Sequence, residues 1–253
     1  MILVGTVLDH AILRKSGRCS LNYDLKLINL EAQARGSERA IYFHPDYPDI
    51  VFKIVEGKEI DLRSGKLEHL ALKAFPNKLM MRRSRKELQS YLLSKFDYHT
   101  SDVNYPAAEM RGFYESDLGL AVAFERVTDG SNALGPTLAQ IAEAGQLTVH
   151  HIDMLNEFAQ RILAWNLVAS DLNLSNIVLG LRGGIPQFVL VDGMGAPHLI
   201  PLRYWSRRFN RRELISSLRK IARRVNRMHD AMTLRFNDLN QRFEIVTEDV
   251  RDD

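Results

Sequence analysis

The segment SDLNLSNIVLG places an aspartate, Asp171, five positions before an asparagine, Asn176. A second aspartate, Asp192, follows sixteen residues after Asn176 in the segment VLVDG. Phosphoryl transfer requires a base beside the acceptor hydroxyl and oxygen ligands for the metal ions that hold the phosphates. Asp171 is therefore the candidate base, and Asn176 and Asp192 are candidate Mg²⁺ ligands. The alternatives are an Asx turn or helix cap for the first two residues and a simple turn at Asp192-Gly193.

Two upstream residues have the chemistry to complete a nucleotide site. Lys53 lies among apolar residues in VFKI, a predicted strand from which a side chain can project under a nucleotide. Glu87 follows in RKELQSY, on a predicted helix from which it can pair with Lys53. The segment ARGSE, with Gly36 and Ser37, is the candidate phosphate-binding loop, although it holds one glycine only. The alternative for Lys53 is a solvated position on an edge strand.

The first half of the chain predicts a small antiparallel sheet with one helix. Alternating apolar residues predict strands over 24–32, 39–45 and 49–55, joined by the turns QARGSE and PDYPD. The charged stretch 56–80 has no clear fold signal, and we interpret it as an insertion. Apolar residues at helical spacing predict a helix over 82–96, namely Leu88, Tyr91, Leu92 and Phe96. Two further strands, AAEMRGFYES and LGLAVAFERV, flank the turn SDLG.

The second half becomes helical after the polar connector VTDGSNALGP near residue 130. TLAQIAEAG and HHIDMLNEFAQRILAWNLV predict helices, and NIVLGL and QFVLVDG predict strands around the turn RGGIP. We therefore predict an α+β fold in two lobes. Residues 1–128 form an N-lobe of β-sheet plus one helix that binds nucleotide, and residues 129–253 form a mainly helical C-lobe with the catalytic-type loop.

Composition favours a soluble protein. Hydrophobic residues make up 45% and charged residues 26% of the chain, and no stretch approaches the roughly 18 apolar residues that span a bilayer. The run MILVGTVLDHAILRKSG has no basic region ahead of it and no small-residue cleavage site, so we expect no secretory signal. Cys19 is the single cysteine, which excludes an internal disulfide and suits a reducing compartment. We expect a cytoplasmic protein that is not an integral membrane protein.

Basic residues are concentrated in one late segment. Residues 203–227 hold ten Lys or Arg and one acid, Glu213, which leaves a net charge of −6 for the rest of a chain whose total is +3. An apolar stripe (Leu214, Leu218, Ile221, Val225 and Met228) runs along this predicted helix, and most of its cations lie off the stripe (Arg212, Arg219, Lys220, Arg223, Arg224 and Arg227). The segment is either a solvated face or a surface for an anionic partner, such as lipid headgroups, a phosphorylated substrate or nucleic acid. Aromatic residues do not alternate with these arginines, so nothing in the segment favours nucleic acid over other anionic partners.

Five blocks of the sequence, spread over roughly residues 36 to 206, resemble the small bacterial family called PhoP regulatory network protein YrbL. They are ERAIYFHPDYPDIVFKIV, RKELQSY, YESDLGLAVAFERVTDG, DLNLSNIVL and VDGMGAPHLIPLRYWS. The resemblance implies a two-lobed protein-kinase-like fold with an antiparallel-sheet N-lobe and a reduced, mainly helical C-lobe. It implies ATP and Mg²⁺ as ligands, with kinase roles for Lys53, Glu87, Asp171, Asn176 and Asp192. The family is named for a regulatory network and not for a reaction.

Several positions depart from the protein-kinase pattern. Ala169 and Ser170 stand where protein kinases carry His and Arg, so the arginine that reads a phosphorylated activation loop is absent. Gly193 and Met194 follow Asp192 where Phe and Gly are expected, and no A-P-E segment is present. Only 61 residues follow Asp192, too few for the helical region that docks peptides.

We therefore predict transfer of the ATP γ-phosphoryl to a small-molecule or lipid-linked acceptor. The alternative is a regulatory pseudokinase that binds nucleotide or a partner without catalysis. A third interpretation is that the basic helix itself is the functional surface and binds an anionic partner.

Overall fold

The computed structural model describes residues 25–35, 39–55, 76–97, 104–131, 133–195, 202–229 and 232–246. In these residues the chain has a mixed α+β structure with an antiparallel sheet and five α-helices. The strands are β1 (Ala34–Arg35), β2 (Arg39–His44), β3 (Tyr47–Val55), β4 (Met110–Ser116), β5 (Gly119–Glu125), β6 (Ile177–Arg182), β7 (Ile185–Leu190), β8 (Thr233–Asn237) and β9 (Arg242–Val246). The helices are α1 (Pro76–Asp97), α2 (Leu138–Glu143), α3 (Val149–Ala164), α4 (Leu202–Trp205) and α5 (Arg207–Val225), with a 3-10 helix at Leu174–Asn176.

The largest sheet has five antiparallel strands in the order β1-β2-β3-β5-β4. The predicted strands at 39–45 and 49–55 are confirmed as β2 and β3, and the pair split by SDLG is confirmed as β4 and β5. The β2–β3 turn is shorter than predicted, since only Pro45 and Asp46 separate the strands. This hairpin fixes the register in which Ile41 pairs with Lys53.

The predicted strand over 24–32 is wrong. Its described part makes one isolated bridge, from Leu25 to Ser116, and then turns. The carboxylate of Asp117 accepts hydrogen bonds from the backbone N–H groups of Leu27, at 2.7 Å, and Ile28. A side chain 90 positions away therefore satisfies donors that a neighbouring strand would otherwise use. The first strand is instead β1, inside the segment predicted as a turn.

The two faces of the sheet pack against different parts of the chain. One face forms a hydrophobic cluster with Leu25 and Leu27 (Ala40, Tyr42, Phe52, Ile54, Ala121 and Ala123). Because side chains alternate along a strand, Lys53 points to the opposite face, and its partner across the ladder is Val122. Val122 and Phe124 belong to the larger hydrophobic cluster. The ammonium of Lys53 is thus placed at the boundary between the sheet and the larger cluster.

The helix predicted over 82–96 is confirmed as α1, which begins earlier, at Pro76. Proline suits the first turn of a helix, where its missing N–H has no intrahelical partner. Among residues 85–96 of α1, whose side chains the structure describes, the buried ones are polar, namely Glu87, Ser90 and Ser94, while the apolar Leu92 and Phe96 are exposed. Of the predicted insertion over 56–80, only residues 76–80 lie within the described chain, and they are helical.

The larger hydrophobic cluster is built by α2, α3, β6, β7 and α5. Both predicted helices that follow residue 136 are present, each with a threonine capping box, at Thr137 and Thr148. The predicted strands β6 and β7 form an antiparallel hairpin whose turn uses Gly183 and Gly184 at positive φ. The placement of a lobe boundary near residue 130 stays a prediction.

The last hairpin of the described chain, β8–β9, was not predicted. It contributes Leu234, Phe236 and Phe243 to the larger cluster. The buried side chain of Asn156 on α3 donates to the Phe243 carbonyl, at 3.1 Å, and accepts from the Phe243 N–H, at 2.6 Å. Asn226 makes the same reciprocal pair with the backbone of Leu234, at 2.9 and 2.8 Å. Each asparagine amide pairs with the hairpin as a peptide group of an adjacent strand would.

The predicted basic segment forms α4 and α5, separated at Ser206, whose side chain caps α5. Leu214, Leu218, Ile221 and Val225 are fully buried as the apolar stripe predicts, but Met228 lies beyond the helix and is exposed. None of the helices in the described ranges combines the length and apolarity needed to cross a membrane.

Candidate functional site

Two cations share the buried carboxylate of Glu87. Arg39 Nη1 lies 2.6 Å from Glu87 Oε2, and Lys53 Nζ lies 3.5 Å from Glu87 Oε1. All three residues are buried, with at most 8% of the surface of each residue exposed. The arginine is on the same sheet face as Lys53, because Arg39 pairs with Val55 and Ile41 pairs with Lys53. The predicted Lys53–Glu87 pair is therefore brought together, with Arg39 as a closer third member.

The remaining contacts of Lys53 lead to the loop that contains Asp192. Its Nζ donates a hydrogen bond to the Val191 carbonyl at 2.8 Å and lies 4.0 Å from Asp192 Oδ1. The same ammonium lies 4.3 Å from the centroid of the Phe124 ring, within range of a cation–π contact. Lys53 thus links strand β3, helix α1 and the end of β7 at one point.

Asp171 and Asn176 meet within their own loop. Asn176 Nδ2 donates to the Asp171 carbonyl at 3.1 Å and to Asp171 Oδ2 at 3.2 Å. The 3-10 helix between them is capped by Asn173, whose side chain accepts from the Leu174 N–H. The capping role that was the alternative for Asp171 and Asn176 therefore belongs to Asn173. The Asp171 side chain is exposed.

Gly193 holds the Asp192 loop directly against the Asp171 loop. Its carbonyl accepts from the N–H groups of Ser170, at 2.9 Å, and Asp171, at 3.2 Å. Its φ is +88°, and a Cβ added there would lie 2.3 Å from the Asp171 carbonyl oxygen. Both the conformation and the close approach require glycine. This junction brings the aspartates of the two loops to neighbouring positions.

The side-chain oxygen atoms at this junction are of the type that a hard cation such as Mg²⁺ binds. Asp192 is 48% exposed at its side chain, and its Oδ1 accepts from the Gly193 N–H at 2.7 Å. Asn176 donates with its Nδ2, which leaves its Oδ1, the atom a hard cation binds, facing no donor among the described residues. Within those residues no cluster of three or more His, Cys, Asp or Glu side chains is suited to holding a metal ion. Mg²⁺ needs only one or two carboxylates when phosphates supply the other ligands.

Two predicted site residues, Gly36 and Ser37 of the phosphate-binding loop, lie outside the described residues. Cys19 lies outside them as well. The described neighbours Arg35 and Arg39 bracket the segment, and they belong to β1 and β2.

Arg203 is hydrogen-bonded to the backbone just before Asp171 and so holds the Asp171 loop in place. Its Nη1 donates to the Ala169 carbonyl at 2.7 Å, and its Nε donates to Asn210 Oδ1 at 2.8 Å. Asn210 in turn donates to the Asn166 carbonyl at 2.8 Å. Burial lowers the pKa of the Arg203 guanidinium from its usual value. Arg203 therefore does not belong to an accessible basic surface, in contrast to the prediction that grouped it with residues 203–227.

A salt bridge ties the end of the five-stranded sheet to the β6–β7 hairpin. Arg182 Nε donates to Glu125 Oε1 at 2.8 Å, and Arg182 Nη2 donates to the Ala107 carbonyl at 2.6 Å. Burial acts to raise the pKa of the Glu125 carboxyl, but the hydrogen bonds and positive charge of Arg182 outweigh it, so this pKa is lowered. The close packing continues at Gly180, where a Cβ would lie 2.4 Å from a Val127 methyl group.

Arg39 and Arg203 are the residues that sequence reasoning missed at this site. A signal for Arg39 exists in the pattern, because a short β2–β3 turn puts Arg39 and Lys53 on the same face. Arg203 has no such signal, since its role depends on contacts with a loop 34 residues away.

Comparison with known proteins gives one result. No curated protein matches the sequence. A family model, described as PhoP regulatory network protein YrbL, matches residues 25–226, a range that includes every site residue named above and ends before β8. The match spans well over half of the chain, and the chain therefore belongs to the PhoP regulatory network protein YrbL family.

Proposed function

We propose that this chain is a phosphotransferase with a two-lobed protein-kinase-like fold, moving the γ-phosphoryl of ATP to a non-protein acceptor. The observation that carries the proposal is the junction at Lys53. This buried cation joins Glu87 of α1 to the loop of Asp192, and Gly193 of that loop contacts Asp171. A structural ion pair alone does not require an exposed aspartate and an asparagine amide oxygen at the same junction.

Each group has a role that its position allows. When bound, ATP with Mg²⁺ supplies the phosphorus that the acceptor oxygen attacks and the ADP that leaves. Asp171 accepts the proton of the acceptor hydroxyl as the new oxygen–phosphorus bond forms and the bond to the bridging oxygen breaks. Asp192 and Asn176 would supply oxygen ligands to Mg²⁺, and Lys53 would donate hydrogen bonds to the phosphate oxygens. Catalysis rests mainly on positioning and charge stabilisation.

The contact between Arg39 and Glu87 explains how Lys53 can bind phosphate oxygens while the sheet stays paired with helix α1. Lys53 now donates to the Val191 carbonyl, a neutral acceptor that a phosphate oxygen can replace. Glu87 keeps its shorter contact, to Arg39, while Lys53 moves. The carboxylate is then still paired, which avoids the penalty of a buried unpaired charge.

A thermal-shift titration with ATP, with and without Mg²⁺, tests nucleotide binding. A ligand at about 100 times its dissociation constant stabilises the folded state by roughly 2.7 kcal/mol, which raises the melting temperature. We expect a Mg²⁺-dependent rise in the wild type and none in Lys53→Ala. Lys26→Ala, which removes an exposed lysine, is the matched control and keeps the full response. An unchanged wild-type melting curve at millimolar ATP contradicts the proposal.

A regulatory pseudokinase is the second candidate, and the sequence around Asp171 favours it. The loop from Ser170 to Asn176 contains no Lys or Arg, and Ala169 and Ser170 replace residues that active protein kinases carry. Such a protein binds nucleotide through Lys53 and Asp192 and has no use for a base at Asp171. The two candidates therefore differ at Asp171.

A further inference from the structure

Helix α5 divides its basic residues between two flanks of the buried stripe. On one flank, Arg219 pairs with Asp238 in the β8–β9 turn, and Arg211 Nη2 donates to Gln241 at 2.6 Å. On the other flank, Arg224 Nη1 donates to Asn173 Oδ1 at 3.0 Å. The first flank is therefore occupied by a hairpin of the same chain. The second flank borders the loop of Asp171.

Three cations form a row along the second flank. Lys220 and Arg224 occupy positions i and i+4 of α5, which lie on one side of an α-helix about 6 Å apart along its axis. Arg227 follows two residues after the end of the helix, in a turn where its backbone N–H donates to the Arg224 carbonyl at 3.2 Å. Lys220 and Arg227 are exposed and Arg224 is half-buried. Glu213 shares this side, but it precedes Lys220 by seven residues, or about 10 Å. The row, which we call the α5 row, therefore carries three positive charges with no acid inside it.

The α5 row lies close to the candidate base. Its middle member contacts Asn173, and Asn173 is two residues from Asp171, at most about 7 Å along the backbone. The loop supplies no cation of its own, because Ser170 to Asn176 includes neither Lys nor Arg. Arg203 of the basic segment also contacts this loop, at the Ala169 carbonyl, but Arg203 is buried. The α5 row is connected to the loop through Arg224, and its outer members Lys220 and Arg227 are exposed.

We propose that the acceptor is a hydroxyl compound that already carries a phosphate group, which the α5 row binds beside Asp171. The inference rests on the phosphotransferase function proposed above. Arginine binds phosphate oxygens through paired N–H donors, and a lysine ammonium adds a point charge. The acceptor's own phosphate stays intact. Its free hydroxyl gives its proton to Asp171 and its oxygen bonds to the γ-phosphorus, with ADP as the leaving group.

Equilibrium binding to the full chain, in the presence of ADP and Mg²⁺, tests the phosphate site without relying on turnover. The probes are inorganic phosphate, glycerol 3-phosphate, glucose 6-phosphate and ribose 5-phosphate, each phosphate ester paired with its parent alcohol, and vesicles of phosphatidylglycerol. Soluble esters and vesicles distinguish a free phosphate from a lipid headgroup. We expect at least one phosphate compound to bind at least about tenfold more tightly than its parent, with an affinity that falls as salt rises.

Two triple variants with the same change of charge locate the site. Lys220→Gln with Arg224→Gln and Arg227→Gln should weaken phosphate binding at least about tenfold while ADP affinity is unchanged. Arg212→Gln with Arg235→Gln and Arg242→Gln removes three exposed arginines elsewhere and should leave it unchanged. Equal binding by the two variants, or no salt-sensitive binding of any probe to the wild type, overturns the inference.

The outcomes also separate this inference from the function on which it rests. ATP binding without any phosphate binding overturns the acceptor inference and leaves the phosphotransferase proposal standing. The chain could also bind phosphate through the α5 row and bind no nucleotide. That result overturns both the phosphotransferase proposal and the acceptor inference, because the phosphate compound is then not an acceptor. A joint loss of phosphate and ADP affinity in the first variant assigns the α5 row to the nucleotide and also contradicts the inference.

Discussion

Asp171 is the residue that separates an enzyme from a nucleotide-binding regulator. Asp171→Asn removes the basic carboxylate with little change in size, so turnover of ATP should fall by roughly 10² to 10⁴ while nucleotide affinity changes little. Asp192→Asn should weaken both, because its carboxylate holds the phosphates through the metal ion. Steady-state ATP turnover and nucleotide binding, measured on the same preparations, check these expectations.

The matched control is Asp153→Asn, which makes the same change at an exposed position on α3. Its turnover and affinity should equal those of the wild type. If Asp171→Asn also turns over ATP at the wild-type rate, Asp171 is not the base, and the pseudokinase interpretation is the better one.

Gly193 offers a second test at the scale of one residue. Alanine at this position combines a φ of +88° with a Cβ only 2.3 Å from the Asp171 carbonyl oxygen, so one of the two loops must move. Gly183→Ala is the control, since it has a φ of +59° and no atom within 4 Å of its added Cβ. A left-handed conformation costs a non-glycine residue roughly 1–2 kcal/mol, and only Gly193→Ala adds the clash.

We expect Gly193→Ala to lose more unfolding free energy than Gly183→Ala, and to lose turnover as the Asp171 loop shifts. Urea unfolding of both variants and ATP turnover of both give the comparison. Equal stability and equal turnover would show that the two loops tolerate separation at this point.

At the scale of elements, the Glu125–Arg182 bridge between β5 and β6 predicts a pH dependence of stability. The folded state lowers the pKa of Glu125 below its ordinary 4.5. The stabilisation is therefore complete above about pH 4.5 and is lost as the pH falls through the folded-state pKa. Melting temperatures of the wild type and Glu125→Gln should differ most above about pH 4.5 and converge as the pH falls through the folded-state pKa of Glu125.

Glu143→Gln, at the exposed end of α2, is the control for this measurement and should follow the wild type at each pH. A difference between wild type and Glu125→Gln that stays constant from neutral to acidic pH would mean that the bridge does not act through the charge of Glu125.

Helix α1 shows why an element can be predicted for an incomplete reason. Leu88, Tyr91, Leu92 and Phe96 gave the helical spacing, and the helix is present. Its contacts with the sheet, however, include a polar one. Tyr91 reaches the Met110 carbonyl of β4, and Glu87, one turn earlier on the same side of the helix, pairs with the two cations Arg39 and Lys53. Apolar periodicity finds a helix, but a polar partner from another strand decides which face is buried.

For the whole molecule, local patterns predicted most strands and helices, because β2, β3, β5 and α3 carry their own alternation or spacing. The failures depend on distant residues. Segment 24–32 satisfies its backbone donors with Asp117, and the β8–β9 hairpin has strands of five residues each with charged neighbours, so its signal is weak. The five candidate residues with kinase-type roles were named from motif spacing and from the family resemblance, whereas Arg39 and the α5 row needed the strand register and the Asn173 contact.

The β8–β9 hairpin has a consequence for synthesis on the ribosome. Phe243 pairs with Asn156, which is made 87 residues earlier, and Leu234, Phe236 and Phe243 are part of the same cluster as α3. At about 5 to 20 residues per second, the apolar side of α3 waits roughly 4 to 17 s for these partners. During that interval apolar surface of α3 is exposed, which makes an incompletely folded chain prone to aggregation, and translation that stalls before residue 243 leaves the part that β8–β9 covers exposed.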